Sequence, residues 1–122
     1  MFRGLKEKNG EVSVVDDLGE GPLNFEIKTP LGFTVRTSAS YWQRLMVKHP
    51  DLEGLEGVVR QCLSTPDEIR RSSRDSEILL FYLARHATRW VVAVARRVNG
   101  DGFLITAYQI DAMKEGEKVW PK

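Results

Sequence analysis

Residues 90–110, WVVAVARRVNGDGFLITAYQI, decide the fold. Two runs rich in β-branched and aromatic residues, Trp90–Val98 and Phe103–Ile110, flank Asn99-Gly100-Asp101-Gly102, a strong local signal for a hairpin turn. The loop holds either two residues (Asn99-Gly100) or four (Asn99 to Gly102). Both lengths shift the register by an even number, so the facing of the side chains is the same in each. The pattern predicts one face with Trp90, Val92, Val94, Arg96, Val98, Phe103, Ile105, Ala107 and Gln109. The opposite face takes Val91, Ala93, Ala95, Arg97, Leu104, Thr106, Tyr108 and Ile110.

Working outward, Ile78–Ala84 and Glu68–Ser73 read as two further strands, and short polar links permit only antiparallel neighbours. A four-residue link, Arg85 to Thr88, sets Leu79, Phe81 and Leu83 beside Trp90, Val92 and Val94 as the core face. Ile78, Leu80, Tyr82 and Ala84 then join the second face. There Ala93 and Ala95 beside Tyr82, Arg97, Thr106 and Tyr108 read as a shallow polar surface open to a ligand. The same face also holds Ile78, Leu80, Val91, Leu104 and Ile110, too apolar to be freely solvated, which reads instead as a surface covered by the N-terminal hairpin or by the tail.

Upstream, Leu23–Thr29 and Phe33–Thr37 around Pro30-Leu31-Gly32 look like a hairpin. Ser40 and Gln43 have the spacing of a capping box and predict a helix from Tyr41 to about Lys48. His49-Pro50 interrupts it, because the residue before proline is pushed out of the α region. A second helix is expected through Leu52, Leu55, Val58, Val59, Cys62 and Leu63, ending at Ser64-Thr65-Pro66. Residues 1–22 read as a flexible lead-in with at most a short strand at Val12–Val15, and 23–122 as a single domain. In the tail, Val119-Trp120-Pro121 is placed to dock an aromatic back onto it. The fold class expected is α+β: an N-terminal β-hairpin and two short helices packed on a four-stranded antiparallel β-meander.

At 122 residues, with 42% apolar and 29% charged residues, the chain suits one core. No apolar run approaches a transmembrane span and no secretory leader pattern opens the chain, so a cytoplasmic location without membrane contact is expected. One cysteine excludes an internal disulfide, and two histidines make a closed zinc site a poor fit, so neither metal nor cofactor is expected. Cys62 reads as a buried, inert thiol. Net charge is +1, yet residues 60–97 carry eight arginines against four carboxylates and no lysine. Arginine's planar fork suits phosphate, so this block fits an RNA partner, although arginines lying along exposed strand edges give the same composition.

The order of parts resembles the nuclease superfamily that groups barnase, EndoU, colicin-type and RelE-type toxins, especially its phage- and mobile-element-associated branch. The resemblance runs from Tyr41 to Tyr108. It rests on Tyr41-Trp42 opening a helix, His49-Pro50 at its end, Pro66-Asp67 before the sheet, Leu80-Phe81-Tyr82, Trp90-Val91-Val92 and Thr106-Ala107-Tyr108. It implies a RelE/barnase-like fold and metal-independent endoribonuclease activity of toxin type, by attack of a ribose 2′-hydroxyl on the adjacent phosphate. Such chemistry needs a proton acceptor, a donor for the leaving 5′-oxygen, and cations or hydroxyls around the phosphorane. The resemblance assigns His49 as acid or base, Arg70 to the phosphate with Arg71 or Arg97 in reserve, and Thr106 to a non-bridging oxygen. Tyr82 and Tyr108 orient phosphate or stack on a base. RNA and a cognate inhibitor protein are the implied partners, and the oligomeric state is not legible. His86, in a tight turn, reads as solvent-exposed, and the sheet lacks the second histidine that some members of the superfamily use. The other class left open is a catalytically inactive protein- or RNA-binding module of the same fold, serving a phage or a toxin–antitoxin system.

Overall fold

At the Asn99-Gly100 turn both residues have positive φ, 54° and 85°, the combination that matches the twist of the flanking strands. The loop is therefore the two-residue form, with Val98 opposite Asp101. It joins β5 (Trp90–Val98) to β6 (Asp101–Ile110). Upstream come β1 (Leu23–Lys28), β2 (Thr34–Ser38), α1 (Ala39–Lys48), a 3₁₀ turn at Pro50–Leu52, α2 (Glu56–Ser64), β3 (Glu68–Arg71) and β4 (Ile78–Ala84), and β7 (Glu117–Trp120) closes the order. The computed structural model describes residues 21–86, 88–111 and 115–122, so the expected lead-in strand at Val12–Val15 lies outside the described residues.

The strands form one seven-stranded mixed sheet in the order β1-β2-β6-β5-β4-β3-β7. This corrects the expected RelE/barnase-like architecture of a hairpin packed on a four-stranded antiparallel meander. The β1–β2 hairpin extends the sheet, because β2 pairs in parallel with the first residues of β6, Thr34 opposite Asp101 and Arg36 opposite Phe103. At the other edge β7 pairs with β3, bringing Trp120 opposite Ile69. Pairing satisfies backbone groups that the outer strands of a four-stranded meander leave open.

Two local features also revise the facing. The link between β4 and β5 spans five residues, closed by the Arg85 amide on the Arg89 carbonyl at 2.7 Å. Ala84 therefore opposes Trp90, and Leu79, Phe81 and Leu83 oppose Ala95, Ala93 and Val91. Further along, Val94 opposes Thr106 while Ala95 opposes Leu104, so Ile105 is an unmatched bulge residue and the facing of β6 reverses beyond it. The main core thus joins Phe81, Val91, Ala93, Ala95, Leu104 and Ala107 to the helices, and the alanines lie beneath them. Tyr82, Leu80, Val92 and Val94 form a second apolar cluster with Tyr108 packed against it. The alanine-and-tyrosine surface read from the sequence therefore does not exist as one face.

Ser38, not Ser40, caps α1: its hydroxyl accepts from the Tyr41 amide at 3.1 Å. The helix begins at Ala39, which puts Ser40 inside the first turn. At the other end the His49 amide donates to the Leu45 carbonyl at 2.7 Å, and Pro50 stops the helix there. Gly54, at φ 83°, turns the chain into α2, which starts at Glu56 rather than Leu52. Among the described residues, no helix is long and apolar enough to cross a membrane.

Cys62 of α2 is fully buried, and desolvation pushes its thiol up to about 12, partly offset by the Arg85 cation. Burial likewise raises the phenols of Tyr82 and Tyr108. Below the ordinary thiol value both folded and unfolded chains hold the Cys62 proton, and its contribution to stability is complete. Above it the unfolded chain loses that proton first, so stability is expected to fall from about pH 9 toward 12. Denaturant titrations across that range check the slope. An alkylating reagent at pH 8 is expected to label Cys62 only after unfolding.

Candidate functional site

The strand β6 pairs with β2 over Asp101–Phe103 only, so among the described residues its outer edge beyond Phe103 has no strand neighbour. α1 and the 3₁₀ turn lie along that edge instead. Tyr41, Arg44, Leu45 and Lys48 recur at spacings of three and four, which places them on one helix face. Together with His49 from the helix end and Ile105-Thr106 from the strand, they line a cleft of about 460 Å³. Its inner wall is apolar, from Leu45 and Ile105, and its rim carries the exposed cations Arg44 and Lys48.

His49 and Thr106 meet here, Nε2 lying 3.4 Å from Oγ1, with both residues half-buried. That is longer than a well-formed hydrogen bond. Which atom donates depends on the imidazole tautomer. The Tyr41 hydroxyl is engaged, donating to the Ile105 carbonyl at 2.7 Å. Below His49, the Gln109 amide donates to the Asp51 carboxylate at 3.0 Å. The arrangement offers one imidazole ring, the hydroxyl of Thr106 and two cations around a cavity floored by hydrocarbon. It suits a phosphate ester with an attached organic group. Among the described residues, no three His, Cys, Asp or Glu side chains come close enough to hold a metal ion.

The other assigned residues lie elsewhere. Arg70 is on β3, three strands from β6, and is bound by Glu68 at 2.6 Å and the Gly116 carbonyl at 2.7 Å. Arg71 pairs with Glu117 at 3.8 Å. The Arg97 guanidinium lies 4.5 Å from the centre of the Phe33 ring. Tyr82 and Tyr108 belong to the second apolar cluster, and the Tyr82 hydroxyl accepts from the Glu115 amide at 3.2 Å. Most of these groups answer to structural partners: Arg70 pairs with Glu68 on its own strand and Arg71 with Glu117 on β7, as Arg96 does with Asp75 and Glu77 of the β3–β4 connection. His86 is exposed, as expected.

Arg44 and Lys48 escaped the sequence reading, which weighed arginines by density along the chain. Their signal was helical: Tyr41, Arg44 and Lys48 fall on the face that ends at His49. Comparisons with models of protein families, with curated proteins and with solved structures find no match for this chain.

Proposed function

We propose that the chain is a metal-independent endoribonuclease acting in the cleft between α1 and β6. The observation that carries this reading is the His49–Thr106 contact, made beside Lys48 and Arg44 at the mouth of the cleft. In the reaction His49 takes the proton of a ribose 2′-hydroxyl, and the oxygen attacks the adjacent phosphorus. The bond from phosphorus to the 5′-oxygen breaks, leaving a 2′,3′-cyclic phosphate and a 5′-hydroxyl. Lys48 donates the proton to the departing oxygen. Arg44 and the Thr106 hydroxyl hold the non-bridging oxygens as charge builds on them. Arg70, Arg71, Tyr82, Arg97 and Tyr108 have no part in this scheme. A cytoplasmic setting, and an inhibitor protein that covers the cleft until RNA cutting is required, accompany the toxin reading.

The second reading is an RNA-binding module without cleavage. It is favoured by one specific observation, that among the described residues His49 is the only imidazole lining the cleft. Inducible expression of wild type beside His49→Ala in a bacterial host separates the two. Growth arrest with loss of RNA integrity from wild type alone is expected for the nuclease. Equal growth at matched folded protein contradicts it for cellular RNA.

A further inference from the structure

Among the described residues, the contact between His49 and Thr106 lies between two side-chain hydrogen bonds that join α1 and the 3₁₀ turn to β6. Above it the Tyr41 hydroxyl takes the Ile105 carbonyl at 2.7 Å. Below it Gln109 takes Asp51 at 3.0 Å. The inner contact is the longest of the three, at 3.4 Å. The two outer bonds thus tie the strand to Tyr41 on one side of the contact and to Asp51 on the other.

Ile105, whose carbonyl Tyr41 holds, is also the bulge residue. In an unbulged ladder Thr106 would oppose Ala93 instead of Val94, and its side chain would be carried to the opposite face of the sheet. The extra residue and the Tyr41 bond thus act at the same point. Tyr41 is itself buried, so its ring fixes the hydroxyl in place. Bulges beside functional sites commonly serve to re-aim a side chain.

We infer that Tyr41, Gln109 and the Ile105 bulge form a positioning unit that sets the His49–Thr106 pair, with Tyr41 and Gln109 acting as positioning residues on either side of it. The catalytic meaning of the unit rests on the nuclease reading, but its geometry is measurable without RNA. The test follows the His49 ring nitrogen and carbon-bound proton signals by NMR in the full chain, across a pH titration. Thr106→Val defines the signature of a His49 that has lost its partner. Tyr41→Phe, which removes only the hydroxyl, and Gln109→Ala are each expected to move the His49 signals at least half of the way to that signature. The exposed His86 ring serves as an internal reference that stays in place. His49 signals unchanged in both variants, with Thr106→Val shifted, would overturn the inference, as would a Thr106→Val spectrum identical to wild type. If Tyr41→Phe does not fold, Gln109→Ala decides the matter by itself. A protein that gives the expected shifts but leaves RNA intact keeps the positioning unit and loses only the nuclease reading.

Discussion

His49→Ala is expected to slow RNA cleavage by about a hundredfold or more, the range that a positioned acid or base contributes. Among the described residues that line the cleft, His49 carries the one imidazole. Its removal leaves the hydroxyl of Thr106 and the cations to stabilise charge, with nothing to take the 2′ proton. Little folding energy should go with it. His49 is half-buried at the helix end, and the helix-closing bond there is made by its backbone amide, which alanine keeps. Arg44→Gln should act differently, weakening RNA affinity and flattening its dependence on salt, because it removes a cation from the rim, whereas Lys48→Gln should also slow cleavage, because it removes the proton donor to the departing oxygen. Initial rates and binding isotherms at two salt concentrations separate these effects. Equal rates for wild type and His49→Ala would remove His49 from the chemistry.

Phe81→Ala is expected to destabilise the fold by about 3–5 kcal/mol. Phe81 is fully buried in β4, where its ring lies 6.4 Å from that of Phe33. Across the sheet its row reads Ile69, Phe81, Ala93, Ala107. The two alanines are too small to swing into the space the ring leaves, so the cavity stays open and the cost belongs in the upper part of the range. Denaturant unfolding should show a lower midpoint at an unchanged slope. A loss below about 1 kcal/mol would mean that the core collapses around the gap.

How far the sequence could be read depends on which interactions are local. The turn at Asn99-Gly100 and the ranges of β4 and β5 were legible, because hairpin chemistry and β-former runs are written within a few residues. The relation between strands was not. One additional residue in the β4–β5 loop, Arg89, reversed the facing of β4 against β5, and one unmatched residue, Ile105, reversed β6 again. Alternation carries no count of bulges. The parallel pairing of β2 with β6 joins positions more than sixty residues apart, and no local pattern announces it. The assembly is a seven-stranded mixed sheet in place of the expected meander for these reasons.

At the site, His49 and Thr106 were both named from the sequence, through the family resemblance, and the fold brings them together. Arg70, Arg71, Arg97, Tyr82 and Tyr108 were drawn from the same resemblance, and the fold disperses them into ion pairs, a ring contact and the second apolar cluster. The cations that do border the pair come from α1. The periodicity that placed Tyr41 and Leu45 against the sheet placed Arg44 and Lys48 beside them, so the helix face was the informative unit, and charge density along the chain was not.

The most direct test of the central claim uses purified wild type and His49→Ala with a short single-stranded RNA in excess chelator, mapping the ends of any fragments. Wild type is expected to give fragments that carry 2′,3′-cyclic phosphate and 5′-hydroxyl ends, with none from His49→Ala and no cleavage where the scissile ribose lacks its 2′-hydroxyl. Intact RNA with folded wild type, or the same fragments from His49→Ala, would contradict it.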